Sequence, residues 1–577
     1  MIVKSNITFI SLFVGAAVTF MGCSSVQAHR AQSAFEYNEI YMPQTLGSNA
    51  KNYGLNTVDQ DWGIWGHNLA KALPEKPSMA IFAKRNGKDT DDSQFCFSSN
   101  HLYSYLEEYI SDKYGETDTV RFAIMPNDNE IVCMCAKCVE KGNTKNDASP
   151  AVFALMRRLC ERFPNHIFFT SDYMTTKSLP DKPLPANAGV LVSAIDYPRL
   201  PESTPEEEAF FNRIAQWKQF VDRVYVWEYI NNYDDYFTPI PLLSVMQHRL
   251  QKYRDAGVQG VFMNGSGRDY MSLGDVNAPI LAALLLDPDY EWKEGLKEVV
   301  TERYPVSGQT IYNFMIEQEN YLAQQHTPLP MYGGVPDALK SYLPAERFLV
   351  FYDELSDQFP KTHGAEHEAL DRLIDAISLP RLGIARLSGN LEGTQEPLEH
   401  LYELVDMGTD AYNESYWAVS DYVKDFSFIA GHARAMEGRN LLKGIKLKNL
   451  TPLDPDYSDI SIITDGVLGL PSNYHCGNLI SSATPSLDIE IPYIEGMEHL
   501  RVALVANSSY RIGLPERVTL SYGGANIAEV EPKRLKEHTG HSFVEFDIPS
   551  SVKGPMVVRL FRNPEIRTMA IDEIEAY

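Results

Sequence analysis

Between residues 119 and 264 short apolar runs alternate with amphipathic stretches, and this rhythm constrains the fold more than any other feature of the chain. Val120–Met125, His166–Thr170, Val190–Ile195, Val224–Trp227 and Val258–Met263 have the composition of buried strands. Between the first two, Val152, Leu155, Met156, Leu159, Cys160 and Phe163 fall on one helical face. Thr204-Pro205 followed by Glu206, Glu207 and Glu208 opens another helix, and Leu242–Tyr253 forms a third. Strands that alternate with helices pair in parallel through right-handed crossovers. The strands end in polar tips: Asn127-Asp128-Asn129-Glu130, Asp172-Tyr173, Asp196-Tyr197, Glu228-Tyr229 and Asn264. A (β/α)8 TIM-like barrel gathers such ends on one face, where active sites form. The pattern therefore implies a multidomain α/β protein with a barrel over residues 35–275. Phe35–Tyr41 and Met79–Phe82 are candidates for two further strands, giving seven, and residues 51–100 show no clean repeat.

The remainder of the chain changes texture twice. Residues 276–450 read as a helical domain, and residues 455–577 as a β-sandwich of short strands and turns. At the start, Lys4 and the apolar run Ile7–Phe20 have the form of a signal peptide over residues 1–22, ending at Gly22-Cys23. A small residue before Cys23 resembles a bacterial lipoprotein box, so the expectation is lipidation at Cys23 and tethering of an exported chain to the outer membrane, at the cell surface or the periplasmic face. A net charge of −26 argues against nucleic acid as a partner.

Carboxylates on separate strand ends of one barrel face suit glycosidic cleavage, which needs one acid to protonate the leaving oxygen and a second group opposite it. Asp128, Asp196 and Glu228 are the catalytic candidates on this reasoning. Asn127, Asn129, Tyr197, Tyr229, Asn232 and Asn264 are candidates for binding substrate. Asp61-Trp62-Gly63-Ile64-Trp65-Gly66-His67 concentrates two Trp and a His, as a stacking platform or as packing. Cys133-x-Cys135-x-x-Cys138 with the distant Cys96 suits a structural role, either as disulfides or as a zinc site, and no motif for catalytic zinc accompanies it. The proposed chemistry requires no cofactor.

Phe35-Glu36-Tyr37, Asp61–Asn68, Gln94-Phe95-Cys96-Phe97, Pro126-Asn127-Asp128-Asn129 with its cysteines, and Tyr225-Val226-Trp227-Glu228-Tyr229 resemble the family catalogued as domain of unknown function 4838. Part of that family is glycoside hydrolase family 163, exported endo-β-N-acetylglucosaminidases that cut the chitobiose core of complex N-glycans. The resemblance implies a retaining mechanism assisted by the substrate's 2-acetamido group, with Glu228 as acid/base and Asp196 or Asp128 as the polarising partner. A more distant likeness to α-glucuronidases keeps an exo-acting alternative open, and an inert, lipid-anchored glycan-binding protein is the other. Thr464-Asp465-Gly466 and Ile571-Asp572-Glu573-Ile574 resemble the opening and close of a discoidin-like carbohydrate-binding sandwich.

Overall fold

The computed structural model describes residues 33–577, apart from 410, 477, 478, 534 and 536–538. The signal peptide and Cys23 lie outside the described residues. Among the described residues no helix is long and apolar enough to cross a membrane.

The first strands are β1 (Tyr37–Tyr41), β2 (Trp62–Ile64), β3 (Phe82–Arg85) and β4 (Asp89–Phe95). The strand–helix rhythm then supplies β5 (Arg121–Ala123), β6 (Ile167–Asp172), β7 (Ala188–Ser193), β8 (Arg223–Tyr229) and β9 (Gly260–Asn264). Seven of these form one parallel sheet in the order β1-β9-β8-β7-β6-β5-β2. The sheet is curled, because Tyr37 on one edge strand meets Trp62 on the other at 5.8 Å between ring centres. No hydrogen-bonded pairing joins β1 to β2 among the described residues. The expected eight-stranded barrel is therefore corrected to a seven-stranded sheet with an open seam. Two strand assignments change with it. Met79–Phe82 enters the separate β3–β4 hairpin through a 3-10 turn, while Trp62–Ile64, expected as a platform or packing, supplies the barrel strand.

Side-chain alternation divides the barrel into two apolar layers. Tyr37, Trp62, Ala123, Met125, Ile167, Phe169, Leu191, Tyr225 and Phe262 fill the interior. Val190, Val192, Val224, Val226, Val261 and Met263 point the other way, into the helix layer. Glycine makes room for the large interior rings: a Cβ on Gly189 would lie 2.4 Å from Phe169, and one on Gly260 would lie 2.7 Å from Tyr225. On the interior phase of β1, Glu39 accepts hydrogen bonds from the Tyr37 hydroxyl and from Val58 N at 2.8 Å. Burial, exceeding the effect of these bonds, raises Glu39 from 4.5 to about 8.

The helix Gly274–Leu286 packs on β1 as part of the barrel's outer layer. Further helices follow to Met436. Glu319 from this helical region accepts from Leu243 N at 2.7 Å and Ser244 N at 3.3 Å, capping the barrel helix Leu243–Asp255. The C-terminal part comprises two antiparallel sheets. In chain order its strands are β10 (Lys448–Asn449), β11 (Ile480–Ser482), β12 (Ser486–Ile491), β13 (His499–Asn507), β14 (Arg517–Tyr522), β15 (Ala525–Val530), β16 (Thr539–Asp547), β17 (Met556–Phe561) and β18 (Met569–Ala576). They pair as β10-β12-β17-β14-β15 and β11-β18-β13-β16 around a separate apolar core.

Candidate active site at the barrel mouth

The strand parity that builds the two layers also sorts the candidate carboxylates. Glu228 is in phase with Val224 and Val226, so its side chain enters the helix layer and is 0% exposed. There it pairs with Arg249 at 2.5 Å and accepts from the Tyr253 hydroxyl at 2.5 Å and from Tyr229 N at 2.8 Å. Arg249 and Tyr253 lie on the helix Leu243–Asp255. Glu228, expected as the acid/base, thus lies in the helix layer, fastened between strand and helix. Asp172 is fixed in the same way, accepting from Arg213 and from Trp217 Nε1 at 2.7 Å.

Several binding candidates are also committed to the scaffold. Tyr197 is buried, donates to Glu207 at 2.7 Å and lies under the Arg249 guanidinium. Asn232 is buried, donating to Tyr332 O at 3.1 Å and accepting from Asp234 N at 3.1 Å. Asn127 and Asn129 donate to Ser93 O at 2.8 and 3.0 Å. Gln94 Nε2 returns two bonds of 3.0 Å, to Asn127 O and to Asn129 Oδ1. These two asparagines, expected as ligands of substrate, lace their loop to the β3–β4 hairpin and support Asp128 between them. Between them Asp128 is left exposed.

The mouth itself collects a different set. Trp65 stacks on Trp227 at 4.9 Å and 17°, above Phe262. His67 Nδ1 contacts the Pro126 carbonyl at 2.5 Å, so Nδ1 carries the proton and Nε2 is left as the acceptor in the neutral ring. Its ring lies between Tyr173 at 5.9 Å and Trp227 at 6.4 Å. Burial and then the neighbouring charge of Asp128, to which its hydroxyl bonds, push Tyr173 up to about 12. Tyr229 meets Ser193 at 3.1 Å and Asn264 lies beside it in register, both on the interior phase of their strands. Asp196 is at the rim, 79% exposed and ion-paired with Lys177 at 3.0 Å, and its charge also reaches Tyr173.

The second carboxylate comes from outside the barrel. Glu414 lies on the loop preceding the helix Val419–Met436, and its backbone N–H donates to Tyr233 O at 2.9 Å. Its side chain retains open surface, yet the surrounding protein removes enough water to raise its pKa. The charges of Asp128 and Asp234 raise it further. Beside it Tyr416 is 76% exposed and holds φ at +57°, a conformation unusual for an aromatic residue. The C-terminal sandwich reaches the same place: His475 pairs with Asp234 at 3.0 Å, and the Tyr510 hydroxyl meets Ser415 Oγ at 3.1 Å. No sequence signal marked Glu414, Tyr416 or His475, since each lies more than 180 residues from the strand it approaches; His67 was flagged only as part of a Trp-rich run.

No curated protein matches the chain significantly. Among solved structures, the chain resembles a family GH115 4-O-methyl-α-glucuronidase with specificity for decorated arabinogalactans at 13% identity and a TM-score of 0.37, over 93% of this chain and 73% of the other. It resembles a GH138 enzyme targeting pectin rhamnogalacturonan II at 10% identity and a TM-score of 0.27, over 94% of this chain and 86% of the other. Likenesses at these scores carry no functional weight beside the geometry. The segment from β1 through the first helices after the barrel is more specific: residues 28–315 match the family described as "Domain of unknown function (DUF4838)", and this segment carries that family's domain.

Proposed function

We propose that the chain is a glycoside hydrolase whose acid/base is Glu414 and whose second carboxylate is Asp128. The observation that carries this reading is the pair itself. Two carboxylates from different parts of the chain share one aromatic-walled mouth, and the charge of one raises the pKa of the other. A carboxyl whose pKa is raised holds its proton to higher pH and can donate it to a departing glycosidic oxygen, and its conjugate base can then activate water. The stacked Trp65 and Trp227 and the exposed Tyr416 offer flat apolar faces to the C–H surfaces of sugar rings.

The finer reading follows the family resemblance: endo-acting cleavage of the chitobiose core of complex N-glycans, with retention through the substrate's 2-acetamido group. On this scheme the acetamido oxygen attacks the anomeric carbon as Glu414 protonates the leaving oxygen. Asp128, oriented by Tyr173, holds the acetamido N–H. Water then opens the cyclic intermediate, giving its proton to Glu414. A lipid on Cys23 would hold this mouth at the membrane surface, where exported glycoproteins are met.

Mass-resolved glycan release from a complex-type N-glycoprotein tests both levels. Glycans ending in a single reducing GlcNAc, lost in Glu414→Gln and Asp128→Asn, are the expected result. Release that survives both substitutions would remove the assignment. Release of single terminal sugars would replace the endo reading with an exo one.

A further inference from the structure

We propose that Cys96, Cys133, Cys135 and Cys138 bind one zinc ion, and that this ion staples the loop carrying Asp128 to the β3–β4 hairpin. All four Sγ atoms lie within 4.8 Å of one another. Cys96 Sγ is 3.7 Å from Cys135 Sγ and 3.7 Å from Cys138 Sγ. Zinc–thiolate bonds of about 2.3 Å in a tetrahedron place the sulfurs about 3.8 Å apart. A disulfide would bring two of them to about 2.05 Å, and no S–S bond joins any two of the four. One sulfur equidistant from two others is the arrangement of a shared centre rather than of a pair.

The surroundings fit a closed structural site. Cys96, Cys133 and Cys138 are buried and Cys135 is half-buried. Lys84 N donates to Cys133 Sγ at 3.3 Å, and Ser98 Oγ lies 3.3 Å from Cys138 Sγ, as groups that support thiolate charge do. Four thiolates leave no open position for substrate or water, which separates this centre from the reaction.

Its place in the chain gives the centre a mechanical role. Cys96 comes directly after β4, two residues from Gln94, the side chain that grips Asn127 and Asn129. Cys133 follows the same loop, and Met134 N bonds back to Lys84 O on β3 at 2.9 Å. The hairpin and the Asp128 loop are therefore laced by hydrogen bonds at one end and joined by four sulfurs at the other. Only the catalytic importance of that placement rests on the proposed function; zinc binding and loop rigidity do not.

The experiment combines elemental analysis, intact mass and hydrogen exchange on the full chain. The expected result is one zinc per chain, released when the thiols are titrated with an organomercurial. Replacement by Co(II) is expected to give the visible and near-ultraviolet absorption of tetrahedral thiolate coordination. Cys135→Ser is expected to lose the metal and raise exchange in residues 127–138 with the β-sandwich unchanged. Cys135→His, which keeps four ligands, is expected to retain both metal and protection. A metal-free wild type with the mass deficit of disulfides, or zinc retained in Cys135→Ser, would overturn the site. Unchanged exchange in the metal-free variant would overturn the staple. Because exchange does not depend on turnover, failure of the glycosidase reading would leave these outcomes readable.

Discussion

Glu228 and Asp128 both belong to strand–loop units of the same parallel sheet, and the two regions use them in opposite ways. Glu228 is still within β8, where the two-residue period turns its carboxylate into the helix layer and onto Arg249. Asp128 lies five residues past the end of β5, on a loop whose own asparagines are bonded to the hairpin, so its carboxylate is left exposed with the Tyr173 hydroxyl bonded to it. A carboxylate inside a strand inherits that strand's alternation; one on a supported loop takes whatever direction the loop's anchors leave. Asp172 falls with Glu228, and Glu414 with Asp128.

The sharpest way to break this comparison is to neutralise one carboxylate from each region. For Asp128→Asn and Glu414→Gln we expect turnover to fall by about 10²–10⁴-fold, the usual loss for an acid–base group, with the melting temperature little changed. Equal losses of stability in these variants would return both residues to the scaffold. Glu228→Gln should do the reverse, costing about 3–5 kcal/mol of stability by leaving Arg249 buried without its counter-charge. Chemical denaturation would measure this, and a stable but inactive Glu228→Gln enzyme would reinstate Glu228 at the reaction centre.

Glu39 extends the comparison to a carboxyl held inside the barrel. Its folded pKa of about 8 exceeds the ordinary 4.5, so the folded state holds the proton more tightly than the unfolded one. Stability should therefore be greatest below pH 4.5 as far as this group is concerned. It should decline by a few kcal/mol as pH rises from about 4.5 through about 8. Denaturation midpoints across that range, compared with Glu39→Gln, isolate the effect; identical slopes in the two proteins would remove it.

A smaller effect concerns Glu414. Raised above the usual carboxyl range, it should place the basic limb of the pH–rate profile above that of a free Glu. The residual activity of Asp128→Asn should lose its basic limb at lower pH, because one of the charges that raises Glu414 is gone. A limb that stays in place would separate the two residues. Least affected should be Asp196→Asn, whose exposed pairing with Lys177 is worth about 0–1 kcal/mol; a collapse of activity there would restore Asp196 as the polarising group.

Much of the scaffold was legible in the chain. The alternation of apolar runs with helical faces marked β5 to β9, and six of the short C-terminal runs became β12, β13, β14, β16, β17 and β18. The placement of Glu228 was legible too, in principle: Val224, Val226 and Glu228 share one parity, Tyr225 and Trp227 the other. Trp62–Ile64 escaped notice because three residues show no period, and because Gly63 sits tightly against Phe122, where an added Cβ would be 2.2 Å away. Asn127 and Asn129 have the chemistry of sugar ligands, and only the structure shows Ser93 and Gln94 across from them as their partners.

The sequence alone marked the longer strands and helices of the sheet and which side of each is apolar, because those properties repeat over two to four residues. Only the tertiary structure decided that the sheet stops at seven strands, with a buried carboxyl on the interior phase of β1. Only it brought Glu414 from the helical region and His475 from the sandwich to the mouth beside Asp128. Long-range placement depends on how whole layers pack, and no local pattern encodes which distant loop will supply the second carboxylate.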